Sequence, residues 1–153
     1  MKDLTVSGNP GTIAVPPGTY GAFSFSGTGI IVFGNTGDIE PAIYSLQSLS
    51  MSGQTRIEIA GPVVLTIGGN IGLYGSAILG SAGEPELLQI RTTGNNVQLS
   101  ENAAIYGRLY APSAQVIISG NGLLDGMLVS DRLNISGGVI RISGLTRWLR
   151  KST

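Results

Sequence analysis

Apolar and polar residues alternate along this chain in short runs, and most runs end in a small turn residue. One six-residue pattern recurs: apolar, any, apolar, Ser, Gly, then Asn or another small polar residue. It opens as Leu4-Thr5-Val6-Ser7-Gly8-Asn9 and returns as Phe23-Ser24-Phe25-Ser26-Gly27-Thr28 and Leu49-Ser50-Met51-Ser52-Gly53-Gln54. A degenerate copy, Ile71-Gly72-Leu73-Tyr74-Gly75-Ser76, is followed by Val97-Gln98-Leu99-Ser100-Glu101-Asn102, Val116-Ile117-Ile118-Ser119-Gly120-Asn121 and Leu133-Asn134-Ile135-Ser136-Gly137-Gly138. Successive copies start 19, 26, 22, 26, 19 and 17 residues apart. Alternation puts the first and third residues of each copy on one face of a strand. The Gly or Asn that follows tolerates the left-handed backbone of a corner. A second alternating segment comes after each corner, as in Thr12-Ile13-Ala14-Val15, Ile30-Ile31-Val32-Phe33, Arg56-Ile57-Glu58-Ile59 and Ala104-Ile105-Tyr106. Several turns add a third, such as Arg108-Leu109-Tyr110 and Met127-Leu128-Val129.

Two or three short strands per repeat, always in the same order, describe one coil of a parallel β-helix. No coil buries its apolar face alone, and stacked coils share a continuous core. Val6, Phe25, Leu99, Ile118 and Ile135 are expected to face inward. Left-handed hexapeptide helices keep a strict period, whereas coil length here varies and insertions occur at Asn35–Tyr44 and Ser81–Glu86. Right-handed winding accepts such loops. The chain therefore reads as all-β: a right-handed single-stranded parallel β-helix (β-solenoid) of about seven coils over residues 1–143. At the ~4.8 Å strand spacing, seven coils make a rod roughly 30 Å long. Residues 144–153 break the repeat and read as a C-terminal cap or tail. Their Leu145, Trp148 and Leu149 recur at the spacing of one helical face, suited to covering the last coil or docking on the next subunit.

Composition narrows the chemistry. The chain has 153 residues, 24 of them Gly, is 42% apolar and only 12% charged, and contains neither Cys nor His. Glycine inside a helix costs ~1 kcal/mol against alanine, so long helices are disfavoured, and the glycines keep no three-residue collagen period. Disulfides, thiolate metal sites and the commonest general base are all excluded. The sequence implies no cofactor, no metal and no catalytic residue. Zero net charge argues against nucleic acid as a partner, yet the charge is split: residues 1–101 carry net −4 and residues 102–153 net +4. Met1-Lys2-Asp3 leads straight into strand pattern with no signal-peptide signature. The uncharged stretches Leu4–Gly37 and Ile59–Gly83 are too broken by Gly and Pro for the ~20 apolar residues of a membrane span.

With the repeats in view, Val15-Pro16-Pro17-Gly18-Thr19-Tyr20, the Ser-Gly-Asn corners and Ile105-Tyr106-Gly107-Arg108-Leu109-Tyr110-Ala111-Pro112 resemble β-helical domains of bacterial surface and pilus-associated (PilX-like) proteins. The likeness covers about residues 4–142. It implies a β-helix at the bacterial cell surface, with a surface glycan or pilus component as partner and no established catalytic residues. A weaker likeness is to bactofilins, β-helices that polymerise end to end.

Candidate sites are few. Tyr106 and Asp125 fall at equivalent positions if 97–102 stacks on 116–121, and Arg108 and Tyr110 lie close by. Together they form either a polar–aromatic patch for a sugar or an ordinary outward ladder of cross-strand pairs. Asp38 with Glu40 and Glu84 with Glu86 are the only acid pairs in insertion loops, and solvated loop charge accounts for them. The column Ser7, Ser26, Ser52, Ser100, Ser119 and Ser136 is expected to satisfy turn amides, with Asn9, Asn102 and Asn121 as corner residues. Two function classes stand: a structural or adhesive rod, with homo-oligomers through its ends, and a carbohydrate-binding or polysaccharide-processing β-helix.

Overall fold

The computed structural model describes residues 3–9, 11–37, 39–81, 87–137 and 139–142, the last four as backbone only. The segment with Leu145, Trp148 and Leu149, and Asp38, Glu84 and Glu86 of the acid pairs, lie outside the described residues. Coil one comprises β1 (Leu4–Val6), β2 (Gly11–Ala14) and β3 (Gly18–Thr19). Coil two holds β4 (Ala22–Phe25), β5 (Thr28–Phe33) and β6 (Ala42–Leu46), and coil three β7 (Ser48–Met51), β8 (Gln54–Ile59) and β9 (Val63–Ile67). Coil four holds β10 (Ile71–Leu73), β11 (Ile78–Gly80) and β12 (Leu88–Thr92). Coil five starts with β13 (Asn96–Leu99) and runs into β14 (Ala104–Ser119), a single long strand that bends across all three faces. Coil six begins in β14 and continues in β15 (Leu123–Ser136), whose end opens a seventh coil with β16 (Val139–Ile142). The protein is thus a parallel β-solenoid, with six complete coils among the described residues. The seventh repeat begins a further coil, of which two faces are described.

The pairing is parallel throughout the named strands, and its register is the one the repeats imply. On the first face Leu4 pairs Phe23, Phe23 pairs Leu49, Ile71 pairs Val97 and Val97 pairs Val116. On the second, Ile31 pairs Ile57, Leu79 pairs Ile105 and Ile105 pairs Leu124. On the third, Tyr44 pairs Leu65, Leu65 pairs Ile90 and Ile90 pairs Leu109. These columns meet in one core. Phe25, Leu99 and Ile118 are fully buried, as expected. Ile135 is not: it stacks on Ile118 in the same column but is 40% exposed, because no described coil lies over it. Val6 at the opposite end is half-buried for the same reason.

The corners explain the Ser-Gly motif. Gly8, Gly27, Gly53, Gly75, Gly120 and Gly137 all have positive φ, and Glu101, standing where the motif has glycine, adopts φ 61°. Each corner stacks on the one before, and a Cβ on Gly27 would lie 2.2 Å from the Gly8 carbonyl oxygen. Backbone alone satisfies the amides here: Thr28 N donates to Gly8 O at 2.8 Å and Gln54 N to Gly27 O at 2.9 Å. The serine hydroxyls therefore do not serve the turn amides, contrary to the sequence expectation. Of the serines in the corner column only Ser119 Oγ bonds backbone, donating to Leu99 O at 3.5 Å. Asn121 Nδ2 donates to Asn102 Oδ1 at 3.0 Å, so two of the corner asparagines bond each other across adjacent coils.

The first insertion is shorter than its sequence suggested, because β6 already begins at Ala42. Tyr44 in that strand stacks on Phe33 with centroids 4.2 Å apart, and Phe33 meets Phe23 edge-on at 6.0 Å. Its buried hydroxyl donates to Val15 O at 2.5 Å and accepts from Gly34 N at 3.0 Å, tying the loop to coil one.

Candidate functional site

The outward residues of the second face form two columns. In register, Thr12, Ile30, Arg56, Ile78, Ala104 and Leu123 follow one another in the first column. The second runs Ala14, Val32 and Glu58, then Gly80, Tyr106 and Asp125, since Gly80 follows Ile78 as Glu58 follows Arg56. At Gly80 the side-chain row is interrupted. Its φ is +105° and a Cβ there would lie 2.1 Å from the Tyr106 carbonyl oxygen, so the backbone itself keeps this place empty. The result is a notch of about 320 Å³ lined by Arg56, Glu58, Ile78, Gly80, Ser81 and Tyr106. Ser81 is built into the wall, its Oγ accepting from Ile59 N at 3.1 Å. A second concavity of about 450 Å³ continues along the same face past Asn9, Thr12, Ile30 and Gln54, and shares Arg56.

Tyr106 and Asp125 do pair, as the repeat register required. Arg108 and Tyr110 are separated from them. Residues 104–106 pair with β11, whereas Arg108 and Tyr110 pair with Gln89 and Arg91 of β12 on the third face. The chain bends between them at Gly107, which faces inward against Leu88. The four-residue patch is thus two pairs on adjoining faces. On the third face Tyr110 is 47% exposed beside Arg91. Oriented to satisfy both partners, the Gln89 amide oxygen accepts from Arg91 Nη2 at 3.1 Å and Nε at 3.0 Å. Asp125 already has an interaction partner, so Glu58 is the acid that the notch presents.

Arg132 pairs with Asp131 at 4.0 Å, open to solvent, a contact of little energetic weight, and neither Arg56 nor Glu58 has an ion pair among the described residues. Arg56 and Glu58 therefore carry opposite charges, two residues apart on one strand face, without being paired. No cluster of three or more metal-ligating side chains occurs among the described residues. Glu40 sits on an exposed loop beside a shallow hollow of about 660 Å³ with Pro17, Asn35 and Ile39. Burial raises the Tyr44 phenol above its ordinary value of 10.0, partly offset by the Gly34 amide. That hydroxyl is enclosed in the core and serves structure.

Residues 3–143 match the family model described as domain of unknown function (DUF7305). The chain belongs to this family. The match spans every described coil of the DUF7305 domain, so the solenoid and its notch lie within one family unit. No curated protein and no solved structure matches the DUF7305 domain of this chain.

Proposed function

We propose that this domain is a non-enzymatic structural or adhesive module of a bacterial cell-surface or pilus-associated protein, a short rod that joins further copies through its ends. The absence of His and Cys supports a role without chemistry. The observation that carries the end-to-end part is the underside of coil one. Val6 and Gly8 turn their carbonyls toward coil two, accepting from Ser26 N at 2.9 Å and Thr28 N at 2.8 Å. Alternation then points the backbone N–H and C=O of Thr5 the other way, where no described strand pairs with them. A Cβ on Gly8 or Gly11 would meet nothing within 4 Å. Such an edge is a template for another chain. The charge split of the sequence, net −4 over residues 1–101 and net +4 over residues 102–153, favours head-to-tail approach.

Sedimentation velocity over a wide concentration range tests this reading. The expected result is growth in length with concentration, weakened by salt and by Thr5→Pro, which removes the outward donor while leaving the internal ladder intact. A size that is constant with concentration, or growth indifferent to Thr5→Pro, would overturn it.

A further inference from the structure

We infer that the Gly80 notch is a binding site for one ring of a neutral glycan, with the adjoining concavity holding the next sugar along the rod. The shape is set by the backbone. Glu58 and Tyr106 stand in one outward column two coils apart, about 9.6 Å at the usual strand spacing, and Gly80 between them has no side chain. No residue with a Cβ fits at 80 without moving the Tyr106 peptide, so the opening is a permanent part of the coil. Its volume of about 320 Å³ matches the lower end of small-molecule sites, about 300–1,000 Å³.

The lining selects the ligand class. Tyr106 supplies an aromatic wall and a hydroxyl, Ile78 an apolar floor, Glu58 two acceptor oxygens and Arg56 a fork of donors. Arg56 and Glu58 together carry no net charge and have no ion-pair partner among the described residues, so both are free to bond a ligand. A pyranose matches this set: its C–H face packs on the phenol, and adjacent hydroxyls donate to the carboxylate and accept from the guanidinium. A phosphate or polyanion would meet Glu58. Arg56 also lines the second concavity, with Asn9, Thr12 and Gln54 offering amide and hydroxyl groups. A linear glycan lying parallel to the rod axis would therefore place successive rings on either side of Arg56.

The test is titration of the ¹⁵N-labelled protein with cellotetraose and chitotetraose, and with a heparin-derived tetrasaccharide as the polyanion. Expected is binding of at least one neutral tetrasaccharide, with amide shifts at residues 56–58, 78–81 and 106. Tyr106→Ala should weaken that binding roughly tenfold or more and Glu58→Gln roughly fivefold. Tyr110→Ala, on the third face, should leave it unchanged. Should Tyr106→Ala fold poorly, Glu58→Gln alone decides, because Glu58 is partly exposed and makes no contact that the fold needs. Failure of both neutral glycans to bind, or binding indifferent to Glu58→Gln, overturns the assignment. So does binding of the polyanion alone, strengthened by Glu58→Gln.

Discussion

Gly8 and Gly27 occupy the same corner on successive coils, and replacing each by alanine isolates what coil stacking contributes. Both have positive φ, 78° and 92°, so each alanine carries the left-handed penalty of about 1–2 kcal/mol. Stiffening the unfolded chain returns about 0.4–1 kcal/mol of it. At Gly8 nothing lies within 4 Å of the new methyl group, and the net loss should be about 1 kcal/mol. At Gly27 the methyl would sit 2.2 Å from Gly8 O and 2.8 Å from Gly8 N. Relief requires the corners to part by about 1 Å, enough to break the hydrogen bonds on either side at about 0.5–1.5 kcal/mol each. These are Ser26 N to Val6 O, 2.9 Å, and Thr28 N to Gly8 O, 2.8 Å. Gly27→Ala should therefore lose about 2–4 kcal/mol. Urea denaturation followed by far-UV circular dichroism measures both. A Gly27→Ala loss within about 0.5 kcal/mol of the Gly8→Ala loss would refute the stacking of corner on corner.

Ile118→Ala should lose ~2–5 kcal/mol and Ile135→Ala, 40% exposed in the same column, about 1 kcal/mol; equal losses in urea would mean that the column continues buried past Ile135. Thr55 Oγ1 is buried with no hydrogen-bond partner, so Thr55→Val should raise stability by about 1 kcal/mol, and a lowered urea midpoint would reveal a bond to that hydroxyl. Tyr44→Phe strips Val15 O and Gly34 N of a partner and should lose about 2–4 kcal/mol at neutral pH. Because the folded Tyr44 phenol titrates above 10.0, the unfolded chain releases that proton first, and stability falls as pH rises past 10.0. Melts at rising pH should show a shallower alkaline decline for Tyr44→Phe than for the parent.

The first and second faces were legible because two signals agree there. Alternation sets which side chains turn in, and a Ser-Gly corner fixes the phase, so Phe25, Leu99 and Ile118 could be assigned before any contact was known. The third face offers no such marker. β3 is only Gly18–Thr19, and β6 hides its inward column behind a tyrosine whose hydroxyl is bonded inside the core. The exposure of Ile135 is an end effect, invisible to a periodic pattern that treats every repeat alike. The notch escaped for a different reason. Arg56 and Glu58 were read as part of a strand, but they come within reach of Tyr106 only through two coil steps, some fifty residues along the chain. Its decisive element is a missing side chain at Gly80, and a glycine in a glycine-rich sequence gives no warning. Arg108 and Tyr110, close to Tyr106 in sequence, turned away because a bend between two faces falls at Gly107.

All the hydrogen bonds between coils point along the rod, and that direction fixes its mechanics. A load pressing the ends together is borne by the packed core and by every strand in parallel. A pull on the ends acts on one coil interface at a time, and the terminal coil peels bond by bond while the rest stays folded. Coil steps of 17–26 residues would each pay out roughly 60–90 Å of extended chain. The same object is therefore a stiff strut in compression and a graded extensible tether in tension.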